Sequence, residues 1–432
     1  MLDVLRVEAK KAAEIIENHD FVRIFTHYDA DGISSASIIC AALLREGKQF
    51  HVTFLRGLIE KIEVNSGLVI LQDMGSGQPD IISEIDSDVI IADHHYPSGK
   101  IKPKKRFAHV NPHLAGIDGT FELSASGAAY IIANQLGNNT DLSGLAMIGM
   151  FGDKQKITGG NAEIVKEGIE MGYISGKKGL NMFSGKVREV LTLSTEPYLD
   201  FYGNEEKLNE FLNRVKIDGE KEMDELDEEE VRRLSNAIVL RILELGGYEG
   251  VIEEFIGTRY LLNNEIVGNA IMLSEIVNSC GRASAYSTGF SICMRDESYL
   301  EKGTEIWKKF QIELLEEIVK RKNEVKEGEA IRYIIMGDAK TTSPVATALS
   351  RYIFSDRPLV VVNVKNDMAK ISSRSNLRIA ENVNLSDVMR KAAEKVGGRG
   401  GGHSVAAGAN ISPDKVDDFI KEVDRLVGLS MG

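Results

Sequence analysis

The stretch Phe21-Val22-Arg23-Ile24-Phe25-Thr26-His27-Tyr28-Asp29-Ala30-Asp31-Gly32 decides the fold. An apolar run, residues 21–26, reads as a buried strand and ends on a histidine and two aspartates. The hydroxyls of Ser34, Ser35 and Ser37 then stand where they would cap a helix running to about Glu46. Upstream, residues 2–18 read as an amphipathic helix. Downstream, strand-like runs recur at 50–55, 68–71, 89–92 and 107–110. Strand, helix, strand repetition at these intervals predicts an α/β fold with a doubly wound, mostly parallel sheet.

Two further clusters follow such runs: Asp73 in Leu71-Gln72-Asp73-Met74, and Asp93-His94-His95. Strand ends would carry them to the rim that holds Asp29 and Asp31. Asp153, in Ile148-Gly149-Met150-Phe151-Gly152-Asp153, is a fourth candidate. Carboxylates and imidazoles gathered in this way repel one another unless cations sit between them, so the set predicts a two-metal site. Carboxylate-rich ligands with neutral imidazole suit Mn²⁺, with Mg²⁺ as the alternative, whereas thiolates would indicate zinc or iron–sulfur. Cys40, Cys280 and Cys293 form no CxxC pair and are expected as small buried hydrophobes, in keeping with a reducing cytosol.

The chain is long enough for two or three domains. It has no apolar run of about 18 residues and no signal-peptide pattern, so a soluble cytoplasmic protein without a membrane partner is expected. A net charge of -13 argues against indiscriminate coating of nucleic acid but leaves a locally basic groove open. Lys100, Lys102, Lys104, Lys105 and Arg106 are either a solvated loop or one wall of such a groove. Aromatics make up only 6% of the chain, and Tyr28 is the best placed of them to stack on a base.

The pattern turns helical after residue 158. Residues 218–230 hold nine acids against one lysine, a solvated helix face or a docking surface for a protein partner. A long helix over 304–326 places Trp307, Phe310, Leu314 and Ile318 on one face and would connect two lobes. Strands at 333–336, 359–364 and 370–372 open a smaller α/β lobe. Its last helix has Ser412 at the N-cap, Pro413 first, and Val416, Phe419, Ile420, Val423 and Val427 inside. The expected division is 1–190 catalytic, 191–303 helical insertion and return, 304–327 connecting helix, and 328–432 substrate-binding lobe.

Within that last lobe, Gly397-Gly398-Arg399-Gly400-Gly401-Gly402-His403 is either a hinge or a loop whose backbone N–H groups approach a phosphate. Arg374, flanked by the hydroxyls of Ser373 and Ser375, supplies a second phosphate-type donor set. No Walker A sequence ending in GK[ST] is present, which argues against a nucleoside triphosphatase.

HYDADG at 27–32, LQD at 71–73, ADHH at 92–95, FGD at 151–153, SSRSN at 372–376 and GGRGGGH at 397–403 occur in that order. Together they resemble the DHH phosphoesterase family with its associated C-terminal DHHA1 domain, and within it the RecJ branch, specifically the archaeal GINS-associated nuclease type. The resemblance implies Asp29, Asp31, Asp73, His94 and Asp153 as ligands of two Mn²⁺ ions. Asp73 would bridge, Asp29 would serve one ion, and Asp31, His94 and Asp153 the other. The motif here is HxDxDG rather than the HxxxDxD of the superfamily's inorganic pyrophosphatases, which leaves a ligand role for His27 open and groups it with Asp93 and His95 in catalysis. Asp93 would orient a histidine by accepting its ring N–H, and His95 would contact substrate or support a ligand. Arg374, Ser373, Ser375, Arg399, Gly401, Gly402 and His403 would hold substrate in a lobe closing over the metals.

The activity implied is a Mn²⁺-dependent hydrolase: an exonuclease on single-stranded nucleic acid, DNA rather than RNA, 5′ to 3′, in DNA replication or repair, with the GINS complex as partner. One alternative is a phosphodiesterase or exoribonuclease for short oligoribonucleotides or cyclic dinucleotides. Another is a catalytically inert replication scaffold, against which the full set of ligand candidates argues.

Overall fold

In the computed structural model, residues 2–58, 62, 64, 67–337, 341–365 and 367–431 are described. The N-terminal elements are α1 (Asp3–Glu17), β1 (Phe21–His27), α2 (Ala30–Arg45), β2 (Gln49–Leu55), β3 (Leu68–Gln72), α3 (Pro79–Glu84), β4 (Asp88–Ala92) and β5 (Phe107–Val110). The strands form a five-stranded sheet of order β2-β1-β3-β4-β5 in which every pair is parallel. Every residue of β3 and β4 is buried, as expected of parallel strands covered by helices on both faces. Two of the covering helices are α4 (Ala125–Leu136) and α5 (Ser143–Gly152), both packed on α2.

Strand order reverses beside β1, so a crevice opens outside the carboxyl ends of β1 and β3, where ligands of open α/β sheets bind. Register aligns Thr26 with Gln72 and Gln72 with Ala92. His27, Asp73 and Asp93 therefore leave three neighbouring strands at one level.

Helix α2 begins earlier than the serine run suggests. Asp29 is its N-cap, in extended backbone conformation, and accepts from the Gly32 N–H at 3.0 Å. A carboxylate directly after a strand meets the first turn before Ser34 can. Ser34 and Ser37 instead lie buried within α2, donating to the Asp31 and Ile33 carbonyls. The basic run is also placed differently from a groove wall. Lys104 and Lys105 donate to the Glu84 and Asp86 carbonyls, and Arg106 pairs with Asp88 at the start of β4, the sheet edge opposite the aspartate clusters.

The chain forms two compact units, Met1–Lys177 with Arg259–Lys308, and Lys178–Thr258 with Lys309–Gly432. The second holds a six-stranded sheet whose strands run, from one edge, Arg399–Gly402, Ala406–Ile411, Ala369–Arg374, Leu359–Val364, Arg332–Gly337 and Lys326–Glu327. Its core includes Val416, Phe419, Ile420, Val423 and Val427 of the last helix, which is entered through a 3-10 turn at Pro413–Lys415. The glycine run is an edge strand rather than an open loop, because its backbone pairs with Ala406–Ile411. A Cβ at Gly400 would stand 2.4 Å from the Met389 carbonyl, so close packing on the helix Leu385–Lys395 accounts for that glycine.

The long helix spans Leu300–Arg321, starting four residues before the expected 304 and ending short of 326, where Lys326–Glu327 turns to strand. In the acidic stretch, Asp227 caps the helix Glu228–Glu244 in a capping box with Glu230, Lys221 pairs with Glu230, and Arg232 with Glu229. Part of that charge is therefore spent on local structure. The three cysteines are buried and free. Among the described residues, no helix is long and apolar enough to cross a membrane.

Candidate metal centre

Three groups of potential ligand atoms, each within 4.8 Å of one another, lie at the carboxyl rim of the sheet: His27, Asp29 and Asp73; Asp31, His94 and Asp153; and Asp73, His94 and His95. All five proposed ligands, Asp29, Asp31, Asp73, His94 and Asp153, are thus brought together, and His27 joins them.

Each is held by its element. Asp29 is the α2 cap, and Asp31, one residue into α2, accepts the Ala125 and Ser126 N–H groups at 2.8 Å each, at the N-terminus of α4. That approach requires a glycine opposite: a Cβ on Gly149 would meet Asp31 Oδ1 at 2.1 Å. Asp73 follows β3 with φ 55°, a left-handed conformation that aspartate tolerates better than most residues. Asp153 is the C-cap of α5.

Asp73 spans two of the groups with different oxygens. Its Oδ2 lies 3.3 Å from His27 Nδ1, and its Oδ1 lies 3.3 Å from His94 Nε2 and 3.6 Å from His95 Nδ1. Asp29 Oδ2 is 2.7 Å from His27 Nδ1, and Asp153 Oδ2 is 3.1 Å from His94 Nε2. Among the described residues, neither His27 Nδ1 nor Asp73 Oδ1 has a hydrogen-bond partner, although both atoms are buried. Buried polar atoms at short range but out of hydrogen-bond alignment are what ligands aimed at a common cation leave behind. The donor set, four carboxylates with imidazole nitrogens, suits Mn²⁺ or Mg²⁺.

The histidines are oriented from behind. His94 Nδ1 lies 2.7 Å from the Gly119 carbonyl, which can only accept, so Nδ1 carries a proton and Nε2 faces the carboxylates. Gln155 donates to the same carbonyl at 2.8 Å and is itself held by Asn161. Asp93 is fully buried and accepts from the Ser76, His94 and His95 N–H groups and from the His95 ring at 2.8 Å. His95 is otherwise open, with 58% of its side chain exposed. Ser76 meets His109 and Asn111 behind this turn.

Electrostatics follow from burial and crowding. Burial would lower the His27 imidazole, but Asp29 and Asp73 override it and raise it to about 11. Burial likewise opposes the charged form of His94, and Asp153 and Asp73 raise it well above its ordinary value. Burial, then Asp73, push Asp31 up to about 6. Against the cost of its burial, His27 holds Asp29 down at about 2. Protons on the imidazoles balance these carboxylates, and a bound cation would displace them.

The second unit places its own candidates at one end of its sheet. Register sets Arg374 opposite Ala406, and Gly402 opposite Ala407. Arg374 is half-buried and donates to Thr347, Ser343 and the Ser373 carbonyl, none of them a carboxylate. Burial lowers its guanidinium, with Glu196 opposing. Ser375 Oγ is buried and has no hydrogen-bond partner among the described residues. Ser373 spends its hydroxyl on the Ala407 carbonyl. Arg399, Gly402 and His403 are exposed, and Gly401 has open space where a Cβ would stand.

Residues 21–150 match the DHH family N-terminal domain, and residues 331–429 match the DHHA1 domain. The chain belongs to the DHH family. It is 33% identical to an uncharacterized protein of Methanocaldococcus jannaschii over 96% of this chain and 95% of that one. It is 27% identical to the single-stranded-DNA-specific exonuclease RecJ of Bacillus subtilis, over 38% of this chain and 23% of that protein. The structure of RecJ from Thermus thermophilus in complex with Mn²⁺ superposes with a TM-score of 0.62 at 18% identity, over 99% of this chain and 55% of the RecJ chain. This DHH protein is therefore a RecJ-like phosphoesterase by family, with the doubly wound sheet and second α/β unit expected of it.

Gly119, Ser76, Gln155 and Asn161 were not among the sequence candidates. Their contribution is a backbone carbonyl or a supporting amide, chemistry that residue type does not advertise. Ser124 is the exception. It caps α4, whose N–H groups hold Asp31, and an N-cap serine is recognisable in sequence.

Proposed function

We propose that this protein is a Mn²⁺-dependent exonuclease that hydrolyses single-stranded nucleic acid, DNA in preference to RNA, from the 5′ end, in DNA replication or repair. The observation that carries the reading is Asp73, whose two oxygens face two separate ligand sets. His27 and Asp29 would hold one ion, Asp31, His94 and Asp153 the other, with Asp73 between them; Mg²⁺ is the alternative metal. When bound, the ions would neutralise charge developing on a phosphodiester and lower the pKa of an attacking water. His95, its Nδ1 committed to Asp93, offers Nε2 for proton exchange with the substrate at the open side of the site. The name of the Bacillus subtilis relative supports single-stranded DNA as substrate.

A time course with DNA and RNA strands labelled at either end, in Mn²⁺ and in Mg²⁺, tests the reading. Release of labelled mononucleotide at the earliest times from the 5′-labelled DNA strand is expected. Cleavage confined to oligoribonucleotides a few residues long would replace it with the small-substrate reading.

Arg374 and Ser375 are proposed to hold a substrate phosphate, since the half-buried guanidinium donates to two hydroxyls and a carbonyl, and the Ser375 hydroxyl has no hydrogen-bond partner among the described residues. Arg374→Gln should weaken strand binding in proportion to one phosphate contact, lowering the slope of log affinity against log salt by about 0.7 for a single strand. Manganese stoichiometry should stay unchanged, and loss of metal in this variant would contradict the assignment.

The GINS complex is the proposed partner, and exposed charge in the acidic stretch is the proposed contact. Glu225 and Glu228 are exposed and lie outside the capping box. Their joint change to lysine should reduce capture of GINS at low salt and leave hydrolysis intact. Undiminished capture would put the docking site elsewhere.

A further inference from the structure

Beside the carboxylate rim of the first unit stands a group of aromatic side chains drawn from distant parts of the chain. The Tyr28 ring lies 4.6 Å from the His27 ring, edge to face. Tyr286, from the helix Tyr286–Cys293, lies 6.3 Å from Tyr28 and stacks on Phe54 of β2 at 5.4 Å with planes 25° apart. Phe290 backs Phe54 at 6.1 Å. The Arg56 guanidinium, exposed just past the end of β2, sits 5.8 Å from the Tyr28 ring centre and donates to Ser284 Oγ at 3.2 Å, and the Tyr286 hydroxyl reaches the same oxygen at 3.3 Å.

This arrangement is built rather than incidental. The end of the helix Ala270–Arg282 presses on the first motif so closely that a Cβ on Gly281 would stand 1.9 Å from the Tyr28 carbonyl. Ser284 turns the chain with φ 58°, which delivers Tyr286 to the same rim. Yet Tyr28, Phe54 and Tyr286 are only half-buried, so their rings are not consumed by a core.

We propose that Tyr28 and Tyr286 form a stacking subsite for a nucleobase next to the scissile phosphate, and that Arg56 neutralises the adjoining phosphate. This deepens the nuclease reading and rests on it. The substrate class it selects is a base-bearing strand, because a polyphosphate or a bare phosphoester offers no π face to two tyrosines. Stacking on an aromatic side chain tolerates any base, which suits an enzyme that must traverse arbitrary sequence. Arg56 adds a charge that does not depend on the base.

The test compares binding of a fluorescein-labelled oligothymidylate with that of an abasic strand of equal length and charge, by anisotropy, with and without Mn²⁺, alongside hydrolysis of both strands. Wild-type protein should prefer the base-bearing strand by about tenfold or more, the scale of one lost stacking contact. Tyr286→Leu should lose most of that preference, and Tyr286→Phe, which keeps the ring, should retain it. Arg56→Gln should weaken both strands alike and lessen the salt dependence. Equal affinity of wild type for the two strands, or a preference that survives Tyr286→Leu, would overturn the subsite. A base preference that behaves as stated while neither strand is hydrolysed in Mn²⁺ would uphold the subsite and sink the nuclease reading.

Discussion

Asp73→Asn should reduce hydrolysis by about 10²- to 10³-fold, the scale of removing one group aimed at transition-state charge. The expectation rests on the two directions in which this carboxylate faces. With an amide in its place, one oxygen remains for one ligand set, and an NH₂ group is turned toward the other. Asparagine is the informative replacement because it tolerates the left-handed backbone at φ 55°, whereas alanine there would confound loss of charge with backbone strain. Stability supplies a readout independent of turnover. Asp73 is buried beside Asp29 and Asp31, so without metal the variant should melt higher than wild type, because a buried like charge has gone. Added Mn²⁺ should raise the wild-type melting temperature and raise that of the variant much less, since a ligand stabilises only in proportion to its affinity for the folded state. Equal Mn²⁺-induced shifts in the two proteins, with turnover preserved, would remove Asp73 from the centre.

Asp73 and the Asp93-His94-His95 cluster were readable in the sequence because each follows a strand buried on both faces, whereas Asp153 ends helix α5. A parallel strand buried in this way has no polar alternation to blur its end, so β3 and β4 stop visibly at Gln72 and Ala92, and the acids come next. Asp29 shows where that legibility ends. Its side chain acts both as a helix cap and as part of the carboxylate cluster, and the cap role moved the start of α2 ahead of the serines. His27 could not be placed from motif spacing, since whether a strand's final residue points at its neighbours depends on register with β3, which only the folded sheet displays.

Other features were hidden for different reasons. Glycines at 397–402 look alike in sequence, but Gly400 is fixed by contact with a helix while Gly401 stands open, a distinction set by packing partners. The basic residues Lys104, Lys105 and Arg106 are adjacent to the DHH motif in sequence and yet belong to the far edge of the sheet, because residues between β4 and β5 return to the strand starts. Tyr28 and Tyr286 meet across most of the first unit's sequence. No local pattern could pair them.

The same long-range return of the chain carries an ion-pair network whose disruption should cost more stability than any other single change considered. Arg295 donates to Glu265 through Nε at 3.2 Å and Nη2 at 2.9 Å, and through Nη1 to Asp141 at 3.0 Å; Arg45 reaches Asp141 from α2 at 2.7 Å. The Glu265 side chain is 0% exposed. A buried pair need not contribute much net stability, but truncating one partner leaves the other charge desolvated, at about 3 kcal/mol or more. Arg295→Met should therefore lower the unfolding free energy by about that amount near pH 7, measured by urea denaturation. Burial raises the Glu265 carboxyl even with Arg295 opposing it, and without Arg295 the rise should be larger. A carboxyl whose folded pKa is raised destabilises above its unfolded value, so the deficit of the variant should shrink as pH falls from about 7 to about 5. Adding Glu265→Gln should restore part of the loss, because a neutral amide is cheaper to bury than an unpaired carboxylate. If the double variant is no more stable than Arg295→Met alone, and the deficit is flat with pH, the arginine contributes through packing of its stem and not through the charge it neutralises.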